Sequence, residues 1–170
     1  MIRDEEFFDF LESKREEVLM LDEGSLQHII RRSCEIKSEV VSEDERESGL
    51  RAILNYGHTI GHAVETMTGY KRYLHGEAVA IGIVAEARLS RMLGMIGDTE
   101  MEKIKKLIES YDLPSAMPRE TDFNALFASM QLDKKAVSGE LKFILPEKIG
   151  TVKIQSGVSS EEIKRALNDG

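Results

Sequence analysis

The chain has 170 residues, 41% of them apolar, with 31 Asp and Glu against 23 Lys and Arg and a formal net charge of −8 at pH 7. That is enough apolar content for one domain with a real core, and the acidic balance disfavours a nucleic-acid phosphate backbone as partner. Cys34, the single cysteine, allows no internal disulfide or thiolate cluster, and the longest apolar run, Ala78 to Ala85, is far short of the roughly 20 residues of a membrane span, so a cytoplasmic protein is expected.

In chain order, DEEFFDFLESKREEVLML is acidic at its start and apolar at helical spacing, which predicts an amphipathic helix. SLQHIIRRSCEIKSEVV predicts a second, capped by Ser25, with Leu26, Ile29, Ile30, Ser33, Cys34, Val40 and Val41 on its apolar side and Arg31 and Arg32 on its solvated side. GLRAILNYGHTIGHAVETM, residues 49 to 67, reads as one helix. GEAVAIGIVAEARLSRMLG is apolar all round for its first two turns, the mark of a helix inside the core. DTEMEKIKKLIESYDLP predicts a surface helix ending before Pro114, and TDFNALFASMQLDKK another. LKFILP and TVKIQSG read as two short strands around Gly150, and Ser159 with Glu162 makes a capping box for SEEIKRALND. The expected fold is mainly α, one domain over residues 1–170 with a small β element near its C-terminus.

The central helix carries one polar file: Arg51, Asn55, His58, His62 and Glu65, spaced four, three, four and three apart. A solvated face would explain an arbitrary file of this kind, but such faces are built from Lys, Glu and Gln. Asn and His are poorer helix formers, and Gly57 and Gly61 each weaken a helix by about 1 kcal/mol relative to Ala. His58 and His62, at i and i+4, aim two imidazoles at one point, as helical zinc sites do, and His75 stands just before the buried helix. Three histidines near buried helices point to a metal site rather than to core imidazoles satisfied by hydrogen bonds.

Cations gather nearby. Lys37 falls on the apolar side of its helix, where its stem either packs while the ammonium snorkels to water or holds an anion beside Arg51. Glu47 lies four residues before Arg51 and either orients that guanidinium or belongs to a plain acidic loop. Lys134 and Lys135 sit in an expected turn that either covers the site or is merely solvated.

CEIKSEVVSEDERESGLRAILNYGHTIGHAVE, followed by LHGEAVAIG and DKKAVSGELKFILP, closely resembles the C-terminal half of 3-dehydroquinate synthases, over about residues 1 to 165. The resemblance implies the helical, metal-binding domain of the fold those enzymes share with iron-containing alcohol dehydrogenases. It implies zinc, or cobalt in its place, held by His58 and His75, with NAD bound mainly by a separate N-terminal domain. Lys37, Glu47, Arg51, Asn55, His62 and a lysine of the DKK turn, Lys134 in preference to Lys135, would line the pocket for a phosphorylated seven-carbon sugar acid. Lys37, Asn55 and His62 would be the catalytic groups among them. The family pattern thus makes His62 a neighbour of the metal, where spacing alone pairs it with His58 as a ligand.

Departures from the family are equally specific. Its third metal ligand, a glutamate in an A-E-V-I-K segment, belongs just before Met1, and no glycine-rich strand-to-helix turn for a dinucleotide occurs in this sequence. The expectation is a domain that acts with an NAD-binding partner and is inactive alone. A homodimer is also expected, with Phe7, Phe8 and Leu11 as an apolar patch uncovered where the partner domain would pack. Related sugar-phosphate cyclases, metal-dependent polyol dehydrogenases and a non-catalytic metal-binding module are the alternatives.

Overall fold

The computed structural model describes residues 2–44, 49–119, 121–135 and 141–168, with the backbone alone at 133–135. Asp4 caps α1 (Glu5–Ser13) by accepting the Phe7 amide at 2.8 Å. The expected first helix kinks at Lys14 into a short α2 (Arg15–Leu19), and Leu21, at φ 59°, reverses the chain. α3 (Glu23–Glu43) follows, capped not by Ser25 but by Asp22, whose carboxylate accepts the Ser25 amide at 2.9 Å.

α3 departs most from the sequence pattern. It buries Ser25, Ile36 and Val40, while Ile30 is 64% exposed and Ser33, Cys34 and Lys37 are exposed too. The helix meets the body along one narrow file, so an apolar stripe drawn for a half-buried helix is too wide. Arg32, expected to be idle in solvent, pairs with Asp4, Glu35 and Glu39 and so ties the start of α1 to α3. Phe8, expected in an uncovered patch, is fully buried against Ile104, Leu107 and Ile149.

The stretch read as one central helix is two. A 3-10 helix (Leu50–Asn55) ends at Tyr56, and α4 (His58–Met67) begins after Gly57, which sits in the left-handed region at φ 81°. α5 (His75–Met92) is the expected core helix, buried at Ala78, Ile81, Val84, Ala85 and Leu89. Around it pack α4, α6 (Asp98–Ser110), α8 (Ser160–Asn168) and the strand β1 (Lys142–Lys148), while α7 (Phe123–Lys135) lies on α4. Ile60, Val64, Leu126, Met130, Phe143, Leu145 and Ile163 complete this core. β1 pairs antiparallel with β2 (Thr151–Ser156), Ile144 opposite Ile154, and Gly150 turns the hairpin at φ 82°. The Ser159–Glu162 capping box forms as read: Glu162 accepts the Ser159 amide at 2.8 Å.

Glycine explains how close α4 and α5 come. A methyl added at Gly82 would lie 1.9 Å from the Gly57 carbonyl oxygen, and one at Gly61 would lie 3.1 Å from that of Ala78. The helix propensity lost at these positions is spent on backbone contact that no other residue permits.

Candidate active site

The corner between the 3-10 helix and α4 is held from α5. Glu86, fully buried, accepts the Gly57 amide at 3.0 Å through Oε2, and the Tyr56 hydroxyl donates to the Ile83 carbonyl at 3.2 Å. Burial, and then the negative charge of Glu86, pushes the Tyr56 phenol well above its ordinary range. His58 therefore leaves a braced corner. His62 follows one turn later on α4, and His75 opens α5, which packs against it.

The three imidazoles converge. Ring centroids are 5.4 Å apart for His58 and His62, 5.4 Å for His58 and His75, and 5.9 Å for His62 and His75. One ligand atom from each lies within 4.8 Å of those of the other two. Ligands at about 2.1 Å on a tetrahedral ion stand about 3.4 Å apart, so the imidazoles lie near the spacing at which two or three of them could share a metal. Two rings are already oriented. His58 Nδ1 lies 3.2 Å from the Tyr56 carbonyl and His75 Nδ1 lies 3.1 Å from Glu65 Oε1. Carbonyl and carboxylate oxygens accept, so each Nδ1 carries the hydrogen, and the neutral form of either ring has its lone pair on Nε2. Burial holds the His58 pKa below its ordinary value, the Tyr56 carbonyl pulls it back in part, and the neighbouring imidazoles lower it further. His58 is thus mainly neutral at pH 7, the form that binds metal, and imidazole nitrogens suit zinc among the first-row metals.

Two cavities flank the cluster. One, of 320 Å³, runs from His58 and Lys37 along Ile36, Leu54, Val79 and Ile83. The other, of 370 Å³, is lined by Thr59, His62, Glu65, Tyr70 and, from α7, Ser129 and Leu132. Lys37 therefore shares a wall with His58, although its helix face is solvated. The break at Gly57 takes Arg51 and Asn55 off the face that carries His58 and His62. Both are exposed on the 3-10 helix, where the Asn55 carbonyl faces the His58 ring and the Arg51 amide donates to Asp44 at 2.9 Å. Lys134 and Lys135 belong to the last turn of α7 rather than to a loop, two and three residues past Leu132. Their side chains, and the whole of Glu47, lie outside the described residues.

Sequence reading gave no role to Glu65, Glu86 or Asp44. Glu65 belonged to the polar file, and Glu86 stood out as a carboxylate inside an apolar helix. Asp44, 2% exposed and accepting the Gly49 and Arg51 amides, lies in an acidic run that gives no sign of burial.

The model of the 3-dehydroquinate synthase C-terminal family matches residues 1–136. The chain belongs to that family. A 3-dehydroquinate synthase of Thermodesulfovibrio yellowstonii is 51% identical over 169 residues, which is 99% of this chain and 47% of that protein. Among solved structures, the 2-epi-5-epi-valiolone synthase of Streptomyces hygroscopicus subsp. jinggangensis, with NAD+ and Zn2+ bound, aligns at a TM-score of 0.88 and 25% identity over 99% of this chain and 47% of its own. A 2-deoxy-scyllo-inosose synthase complexed with carbaglucose-6-phosphate, NAD+ and Co2+ aligns at 0.72 and 25% identity over 86% of this chain and 41% of its own. The chain thus spans about half the length of the relatives it matches, and the helical fold expected from the sequence is the family's. No helix among the described residues is long and apolar enough to cross a membrane.

Proposed function

We propose that this chain is the metal- and substrate-binding domain of a 3-dehydroquinate synthase. With an NAD-binding domain it would convert 3-deoxy-D-arabino-heptulosonate 7-phosphate to 3-dehydroquinate and phosphate, a carbon–oxygen lyase reaction of the shikimate pathway. The observation that carries this choice is the 51% identity to a 3-dehydroquinate synthase, against 25% for the valiolone and inosose synthases of like fold. The imidazole cluster supports the metal half of the proposal.

When bound, NAD supplies transient oxidation of a substrate hydroxyl and the metal supplies Lewis acidity at the reacting oxygens. His58 and His75 would hold the metal, their Nδ1 hydrogen bonds leaving Nε2 as the ligating nitrogen, and a glutamate from outside this chain would complete the set. His62, whose ring lines the 370 Å³ cavity, handles a proton at its imidazole nitrogen on the substrate side. Lys37 offers a compact charge at the mouth of the other cavity, Asn55 an amide and Arg51 a planar fork for carboxylate or phosphate. Glu47 orients Arg51, and Lys134 or Lys135 reaches substrate from the end of α7. The whole enzyme is a cytoplasmic homodimer.

Zinc calorimetry on the chain tests the ligand set. Binding is lost in His58→Ala and His75→Ala and largely kept in His62→Ala. Loss with His62→Ala and retention with His75→Ala would move the site onto α4 alone.

A further inference from the structure

Glu65 stands in the last turn of α4, on the side that faces the core. Ile60, Gly61, Ala63 and Val64 around it are buried, and Glu65 is itself only 8% exposed. The Tyr70 amide donates to its carbonyl at 2.9 Å across the left-handed Gly69, closing the helix in a Schellman turn that fixes where the side chain starts. The chain then returns through residues 71–74, and the carboxylate meets His75 Nδ1 at 3.1 Å, ten residues on.

As a device for stability this contact is poor. The His75 side chain is 59% exposed while that of Glu65 is 11% exposed, so a carboxylate has left water for a partner that remains in it. Desolvation of the acid opposes folding, and an ion pair with so solvated a partner returns little. What the contact does achieve is directional. Through a carboxylate that only accepts, it selects the Nδ1–H tautomer of His75, which leaves the Nε2 lone pair for a metal. The same tautomer is set at His58 by another route, the Tyr56 carbonyl, in a corner that Glu86 braces. Carboxylates and carbonyls behind ligating histidines act in this way generally.

We propose that Glu65 is a positioning residue for the metal, holding His75 in the tautomer and orientation that present Nε2. This rests on the reading of His75 as a ligand, and the experiment separates the two. Two variants of similar volume divide the roles: Glu65→Gln keeps an acceptor oxygen, and Glu65→Met keeps the bulk without one. Nitrogen-15 NMR of the metal-free 170-residue chain, at a pH where His75 is neutral, reads the tautomer. The parent and Glu65→Gln show His75 with hydrogen on Nδ1, and Glu65→Met shows it mainly on Nε2. Zinc affinity, by competition with a chromophoric chelator, falls about 10- to 100-fold in Glu65→Met and less in Glu65→Gln. A tautomer unchanged in Glu65→Met, or Gln and Met variants weakened alike, would overturn the proposal, because packing alone would rank them together. So would unchanged zinc affinity in Glu65→Met alongside weakened binding in His75→Ala. If His75→Ala also binds zinc like the parent, His75 is not a ligand and the proposal falls with that reading.

Discussion

Gly82→Ala tests the α4–α5 crossing on which the candidate site depends. In an isolated helix the change is favourable by about 1 kcal/mol, since alanine is the better helix former. Here the new methyl arrives 1.9 Å from the Gly57 carbonyl oxygen and 2.9 Å from the Gly61 amide nitrogen. Ordinary contact begins at 3.4 Å, so the helices must part by about 1.5 Å, and the obstructing atoms are backbone, which cannot rotate away. Overpacking of a close-packed interior typically destabilises by 1–3 kcal/mol, and a backbone clash belongs at or above the top of that range, so a net loss of about 2 kcal/mol or more remains after the propensity gain. Gly76→Ala is the control. It lies on the same helix, beside His75, and its methyl meets nothing within 4 Å, so it should stabilise by about 0.4–1 kcal/mol. Urea unfolding of the two variants measures both. The Gly82 change should also weaken zinc binding, because the Gly57 carbonyl it displaces immediately precedes His58. A Gly82→Ala chain as stable as the parent would show that the helices do not cross this closely, and the placement of His58 against His75 would lose its basis.

The Asp22 cap accepts the Ser25 amide, a bond that holds its pKa below the ordinary 3.8. A depressed folded pKa adds stability above 3.8 that is lost as pH falls through the folded value, so the melting-temperature advantage of the parent over Asp22→Asn should be full at neutral pH and vanish in acid. Arg31→Ala should leave the melting temperature unchanged, whereas Arg32→Ala, which releases Asp4 from α3, should lower it at low salt and less so at high salt. In a reassembled enzyme, Arg51→Lys should lower kcat/KM about 10- to 100-fold, since an ammonium has no planar fork, and unaltered kinetics would remove Arg51 from the substrate site.

Much of this fold was legible because its strongest signals are local or periodic. α5 declared itself by apolar residues on every side, the hairpin by two short runs around Gly150, and α8 by its capping box. The three histidines were found from spacing and from their nearness to buried helices. What failed depended on tertiary geometry. A 3.6-residue polar period runs unbroken across the 3-10 segment into α4, and in the sequence only Gly57 marks the break. The exposure of Ile30 follows from how narrowly α3 touches the body, and the burial of Phe8 from a docking of α1 on α6 that no local pattern records. Glu65, Glu86 and Asp44 carry no local signal for a related reason: a buried carboxylate is recognised by its partners, and those lie five to 29 residues away.

A chimera tests the proposed function most directly. The part of the Thermodesulfovibrio yellowstonii 3-dehydroquinate synthase that this chain does not cover would be fused ahead of it and supplied with NAD, zinc and the phosphorylated seven-carbon sugar acid. Phosphate release with matching formation of dehydroquinate is predicted, abolished by His75→Ala and absent from the 170-residue chain alone. A folded chimera that binds NAD and zinc but releases no phosphate would contradict it.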